Sequence, residues 1–178
     1  MDFHQSNSYL HNTKQLGIVL GSESTPAELY VDSSHGTGTP DLRPVAGHVI
    51  LVHGGPVTWT SKTQQLTSTS STESEYRALS SSVKDAIWMQ QILTCFDVVL
   101  RPFPLKSDNM GAIKAAKNHT TTKHTKHIEL HVQFLRERVQ RGEVDITHIP
   151  GTDNPADLFT KPLQRCKLEE FRTRMGVQ

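Results

Sequence analysis

The chain predicts an α/β domain with a five-stranded mixed sheet, three antiparallel strands followed by two further strands, flanked by helices. Three observations carry this. Short β-type runs separated by turn residues fill the span from Glu28 to Ser61, and a long stretch with helical spacing follows from Leu79 to Phe96. Beyond it, two more β-type runs alternate with helical patterns, giving the order β, β, β, α, β, α, α, β, α with no internal repeat.

Residues 1–27 are polar and Ser-rich around one apolar cluster, Leu16-Gly17-Ile18-Val19-Leu20, which ends at Gly21 and reads as a short strand in a lead-in segment. Leu29-Tyr30-Val31 running into Asp32 forms the first strand of the domain, before a loop rich in Ser, Gly, Thr and Pro. Gly47 to His53 is the second, Gly54-Gly55-Pro56 the turn, and Val57 to Ser61, with Trp59 central, the third strand of an antiparallel meander. The hydroxyl-rich stretch Thr67 to Thr72 offers an N-cap. Leu79, Val83, Ala86, Met89 or Gln90, Leu93 and Phe96 then mark one side of a long helix. Pro102 and Pro104 bracket the entry to a fourth strand that ends at Asp108, and a short helix spans Met110 to Lys117. From His127 to Gln140, Ile128, His131, Val132, Leu135 and Val139 lie opposite Arg136, Glu137, Arg138 and Arg141, and the helix stops at Gly142. Val144 to Ile149 alternates as a fifth strand, Ala156 to Phe159 opens a helical turn, and Leu168 to Met175 forms a polar terminal helix.

A length of 178 residues with 35% hydrophobic content suits one domain with a single core. The formal net charge of +1 demands no polyanionic partner, although local basic clusters can still hold phosphate. Cys95 and Cys166 form no CxxC pair, which argues against a disulfide framework and a cysteine-rich zinc site, and fits a reducing compartment. No apolar run approaches the roughly 20 residues that span a bilayer. Met1 to Asn12 lacks the apolar stretch of a secretory signal, so a soluble protein with no membrane partner is expected.

Three acids stand where a strand or helix begins or ends: Asp32 after the first strand, Glu75 in the first turn of the long helix and Asp108 after the fourth strand. A fourth, Asp157, opens the turn after the fifth strand. In a mixed α/β sheet those positions meet at one edge, where sites collect. Four converging carboxylates repel one another unless hard cations neutralise them, and oxygen ligands suit magnesium. Two ions about 4 Å apart would serve in-line phosphodiester hydrolysis. Each acid also has a plain reading, as a turn former or a complement to the helix dipole, and spacing alone leaves other metal-dependent phosphotransfer enzymes open.

Several blocks go further. Tyr30-Val31-Asp32-Ser33, the run from Gly54 to Gln64 (GGPVTWTSKTQ), the run from Ser70 to Leu79 (SSTESEYRAL), Ser107-Asp108-Asn109-Met110-Gly111-Ala112-Ile113, the run from Lys123 to Leu130 (KHTKHIEL) and the run from Ile149 to Leu163 (IPGTDNPADLFTKPL) occur in this order. Together they resemble the ribonuclease H domain at the end of copia-type retrotransposon Pol polyproteins, over nearly everything from Tyr30 onward. Tyr9 to Gly17 resembles the tail of the preceding reverse transcriptase, so the chain looks like the polyprotein's last piece without its polymerase.

The resemblance implies a ribonuclease H-like fold and three parts: a lead-in at 1–27, the ribonuclease H-like domain at 28–163 and a C-terminal helix at 164–178. It also implies an endonuclease that hydrolyses the RNA strand of RNA/DNA hybrids by two-metal catalysis during reverse transcription. Asp32, Glu75, Asp108 and Asp157 become catalytic residues and ligands of two Mg2+ ions, with Mn2+ as a substitute. The implied partners are the hybrid and the parent polyprotein's reverse transcriptase domain, and the implied location is intracellular, in a cytoplasmic retrotransposon particle or the nucleus. Glu73 competes with Glu75 for the helix position; Glu75 is preferred because Ala78 follows at the offset of related ribonucleases H. The chain departs from the pattern at Ser34-His35, where copia-type domains often carry Asp and Trp. It departs again at Thr152 and Asp153, where cellular and retroviral relatives carry a mobile His. His148 lies earlier, on the strand, and is not assigned that role.

His124, His127 and His131 fall at helical offsets that would suit zinc, but paired cysteines are lacking, and the favoured reading is that His127 and His131 edge the core while His124 caps the helix. Lys114, Lys117, Lys123 and Lys126 form either a solvated face or a sequence-blind phosphate grip, which salt-sensitive binding separates. Trp59 and Tyr76 either stack on substrate or, as is commoner for a strand Trp, pack in the core. The rival function is a catalytically weak or domesticated fragment that binds hybrid or a polymerase partner without cutting.

Overall fold

In a computed structural model, which describes residues 3–34, 43–64, 71–117 and 126–178, the chain folds around one five-stranded sheet. The elements are α1 (Phe3–Thr13), β1 (Ala27–Ser33), β2 (Val45–Val52), β3 (Gly55–Thr63), α2 (Ser71–Thr94), β4 (Phe103–Ser107), α3 (Met110–Lys117), α4 (Lys126–Gln140), β5 (Val144–His148) and α5 (Arg165–Arg174). Two 3₁₀ turns, Gly151–Asp153 and Pro155–Phe159, lie between β5 and α5.

The strand order is β3-β2-β1-β4-β5. β1 to β3 form the antiparallel meander, whereas β1 and β4, and β4 and β5, pair in parallel. The β2–β3 turn differs from the expected Gly54-Gly55-Pro56. It is the two-residue His53-Gly54, with φ of 46° and 84°, and Gly55 already opens β3. Positive φ at both central positions matches the twist of the flanking strands.

The meander's period-two pattern buries its two faces against different layers. On one face, Leu29, Val31, Ile50, Leu105 and Ile146 pack beneath α2, α3 and α4, which contribute Leu79, Val83, Ala86, Ile113, Val132 and Leu135. On the other, Tyr30, Val49 and Leu51 meet Ala156 and, just beyond α5, Met175. α2 follows its apolar spacing from Leu79 to Leu93 but ends before Phe96, which is 74% exposed. The reason is a helix stop: Asp97 takes φ 60°, Val98 N–H donates to the Leu93 carbonyl and Asp97 N–H to Thr94. Gly142, at φ 61°, ends α4 in the same way, with Glu143 N–H donating to Arg138.

The lead-in also differs from expectation. It holds a helix, α1, and the apolar cluster after it makes a single antiparallel bridge, Ile18 to Val177, rather than a strand. Backbone bonds from Gly17 and Val19 to Gln178 and Gly176 tie this segment to the chain's end. The hydroxyl-rich N-cap read at Thr67 to Thr72 falls mostly at residues 65–70, which lie outside the described residues. No helix among the described residues is long and apolar enough to cross a membrane.

Candidate metal centre

The parallel pairing of β1 with β4 sets the site. Val31 lies beside Ser107, so the next residues along, Asp32 within β1 and Asp108 just past β4, share the carboxyl edge of the sheet. α2 starts at that edge at Ser71, earlier than the expected first turn at Glu75, and so presents Glu75 from its second turn. One carboxylate oxygen from each of Asp32, Glu75 and Asp108 lies within 4.8 Å of the other two. Among the described residues this is the one group of acids, histidines or cysteines placed to hold a metal ion. Asp32 and Glu75 are buried, and Glu75 Oε2 has no hydrogen-bond partner.

Glu73, the rival for the helix position, points elsewhere: its Oε1 accepts from Arg77 at 2.6 Å. The structure therefore brings Glu75, and not Glu73, to Asp32 and Asp108.

Asp157 reaches the same edge on the second 3₁₀ turn, but not as part of the converging three. That turn is fastened by Asn154, fully buried, whose Nδ2 donates to the Val31 carbonyl at 2.9 Å and whose Oδ1 accepts from Ala156 N at 3.2 Å. Gly47 on β2 lets the turn approach. A Cβ there would stand 2.6 Å from Thr160 Cγ2 and 2.8 Å from Phe159 Cβ. Ser61 Oγ donates to the Phe159 carbonyl at 2.7 Å, and the Thr160 hydroxyl, just past the turn, donates to Asp32 Oδ2. Gly151 lies against Asp108, since a Cβ on it would stand 3.1 Å from Asp108 Oδ2.

Lys161 is the cation of this cluster. Its Nζ lies 2.9 Å from Asp157 Oδ1 and 3.3 Å from Asp32 Oδ2. Burial opposes its charge, but the hydrogen bond to Asp157 and the Asp32 carboxylate outweigh that and hold its pKa above the usual lysine value. The acids move the other way. Burial, then the charges of Asp32 and Asp108, push Glu75 up to about 9, against the pull of Lys161. Burial and Asp32 likewise raise Asp108, opposed by Lys161 and by His148, which ends β5. Burial raises Asp157 despite its bond to Lys161. Carboxyls crowded at the cost of their own ionisation, with an orphaned buried oxygen and an all-oxygen donor set, fit a hard divalent cation.

Among the described residues, none of the other expected ones joins the converging acids. Lys114 and Lys117 are exposed on α3, and Lys117 pairs with Asp145 of β5 at 2.9 Å. Lys123 and His124 lie outside the described residues, and the side chains of Lys126 and His127 are likewise not described. His131 lines a cleft of about 280 Å³ with His48, Lys62 and Arg77, and burial lowers its pKa. Tyr76 is core, at 2% exposure, whereas Trp59 on the edge strand β3 is 54% exposed rather than packed inside. Sequence reading had no part for Lys161, Thr160, Asn154, Gly47 or Gly151. The i,i+4 spacing of Asp157 and Lys161 is the one local signal that pointed to any of them.

No family model matches the chain. The proteins it resembles include plant transposon proteins. The retrovirus-related Pol polyproteins from transposons RE2 and RE1 of Arabidopsis thaliana are each 32% identical over 171 residues, 95% of this chain and 12% of theirs. That from transposon TNT 1-94 of Nicotiana tabacum is 27% identical over 169 residues, 95% of this chain and 13% of its own length. The chain spans about an eighth of the length of these relatives. Among solved structures, the N-terminal ribonuclease H domain of Rv2228c from Mycobacterium tuberculosis superposes with a TM-score of 0.58 at 12% identity, over 83% of this chain and 96% of that one. Ribonuclease H1 from Halobacterium salinarum gives 0.53 at 21%, and LC11 ribonuclease H1, solved with an RNA/DNA hybrid, gives 0.56 at 19%, each over 75% of this chain and 93% of the other. The chain thus has a ribonuclease H fold and is similar over nearly its whole length to one segment of the retrovirus-related Pol polyproteins of transposons.

Proposed function

We propose that this domain is a divalent-metal-dependent nuclease that hydrolyses the RNA strand of RNA/DNA hybrids, and that it does so within retrotransposon reverse transcription alongside a reverse transcriptase domain. The observation that carries this reading is the convergence of the Asp32, Glu75 and Asp108 oxygens at the sheet edge of a ribonuclease H fold, with Glu75 Oε2 left orphaned. The hybrid held by LC11 ribonuclease H1 and the Pol polyprotein relatives support the substrate and the setting.

Asp32, Glu75 and Asp108 would hold the metal, with Asp157 completing the set. Two Mg2+ ions, or Mn2+ in their place, would supply an activated water and a clamp on the leaving oxygen. The chain's own part is placement. Parallel strands fix Asp32 beside Asp108, Asn154 pins the turn that carries Asp157, and the Thr160 hydroxyl orients the Asp32 carboxylate. A water oxygen would bond to phosphorus as the P–O3′ bond breaks, its proton passing to solvent and the departing O3′ taking one up, to leave a 5′-phosphate and a 3′-hydroxyl. Choice of RNA over DNA would rest on contacts to 2′-hydroxyls in the wide, shallow minor groove. Lys114, exposed on the helix that follows Asp108, would grip backbone phosphate without reading sequence.

The test is cleavage of a hybrid labelled on its RNA strand. The purified chain is expected to release 5′-phosphate products with Mg2+ or Mn2+ and none with chelator, and Asp108→Asn is expected to abolish release. Tight hybrid binding with no product at any metal concentration would assign a binding module instead.

A further inference from the structure

Lys161 stands where a cation is expected. Its ammonium faces both oxygens of Asp32, at 3.3 and 3.5 Å, and Asp157 Oδ1 at 2.9 Å. The three converging oxygens belong to Asp32, Glu75 and Asp108, and Asp157 is the acid missing from them. Asp157 is also the acid that Lys161 holds most closely. The acids thus form two groups that share Asp32: Asp32, Glu75 and Asp108, with an orphaned Glu75 oxygen, and Asp32 with Asp157, already bridged by a positive charge. The side chain is 40% exposed, so it can leave this position toward solvent without breaking the core.

We propose that Lys161 is a tethered competitor for the second metal position: it neutralises Asp32 and Asp157 in the metal-free protein and must withdraw before a cation can use that pair. This rests on the metal-centre reading above and adds an order of loading. A first ion enters among Asp32, Glu75 and Asp108, at the unpartnered Glu75 oxygen. A second ion displaces the ammonium and therefore binds more weakly. The device keeps the acids together without metal, since a single tethered charge offsets part of their repulsion.

The experiment uses the full chain and Mn2+ alone, with bound and free ion counted by electron paramagnetic resonance. The wild type is expected to bind one ion tightly and a second weakly. In Lys161→Met the weaker ion should tighten about tenfold, the scale expected when a unit charge about 5 Å from a divalent ion is removed in a high-dielectric site. Lys161→Arg, which keeps the charge, should retain the weak second site. On the wild type itself, acylation of Lys161 mapped by mass spectrometry should rise severalfold when Mg2+ is added, a readout that needs no variant to fold. Unchanged second-ion affinity in a folded Lys161→Met, or unchanged Lys161 acylation with Mg2+, would overturn the proposal and leave the metal centre standing. Loss of both ions in that variant would make Lys161 a support for the acids and overturn it too. No Mn2+ bound by the wild type would remove the metal centre itself.

Discussion

Replacing Glu75 with Gln should stabilise the metal-free protein, contrary to the usual effect of altering a buried polar residue. The folded state raises the Glu75 pKa from 4.5 to about 9, by burial first and then by Asp32 and Asp108. A raised carboxyl pKa means that the fold binds the proton more tightly than the unfolded chain. Its stabilisation is therefore complete below about pH 4.5 and is lost as pH rises toward 9. Between pH 4.5 and pH 7 the loss accumulates at about 1.4 kcal/mol per pH unit, an upper bound of ~3.4 kcal/mol. Gln has the same shape and no charge, and its amide can donate to the acids beside it. In chelator at pH 7, Glu75→Gln should unfold above the wild type by up to about 7–14 °C, at roughly 2–4 °C per kcal/mol for a chain of this size. The gap should widen from pH 5 to pH 9 and reverse when Mg2+ is added, because the wild type gains the metal's binding energy and the variant loses part of it. Thermal melts across that pH range, with and without Mg2+, measure both effects. A variant no more stable than the wild type in chelator at pH 8 would refute the claim that these carboxyls crowd one another.

Two further substitutions test how the site is assembled. Gly47→Val places a side chain where even a Cβ would come within 2.6 Å of Thr160 Cγ2, so urea unfolding should show a loss of about 1–3 kcal/mol, and hybrid cleavage should fall as the turn carrying Asp157 is pushed off β2. Asn154→Ala removes the bond to the Val31 carbonyl and the cap on Ala156 N, which should cost about 1–3 kcal/mol in the same assay; a loss below about 0.5 kcal/mol would mean that the turn is held by something else.

Elements with a strong apolar period were legible in the sequence. α3 runs from Met110 to Lys117 as its composition indicates, and α2 buries Leu79, Val83, Ala86 and Leu93. α1 was not legible, because Ser, Asn and His are indifferent helix formers and its large residues Tyr9 and Leu10 stay exposed, so no apolar stripe announces it. The β2–β3 turn was misplaced by one residue because His53 takes a positive φ, which sequence reading reserves for Gly or Asn. Phe96 continued the helical spacing past a stop made entirely of backbone bonds. At the site, the acids themselves were legible as residues at element ends. Their supports were not: Asn154 meets Val31, and Thr160 meets Asp32, across more than a hundred residues of chain, and no local pattern encodes such a meeting.

The convergence of acids was legible in principle from strand parity alone. β1 runs toward the site edge, β2 away from it and β3 back, so α2 must begin at the edge where β1 ends, and its early turns carry Glu75 there. α2 then returns the chain to the far edge, and β4, parallel to β1, delivers Asp108 beside Asp32. α3 and α4 repeat the crossing, β5 runs parallel to β4, and the turn after it brings Asp157. One shift in this parity, such as β4 pairing antiparallel to β1, would send Asp108 to the opposite edge and dissolve the cluster while leaving every helix and strand intact. The chemistry of these four residues therefore depends on the β1–β4 pairing more than on any local feature around each of them. Substitutions that weaken that pairing, at Leu29 or Leu105, should impair metal binding before they unfold the outer strand β3.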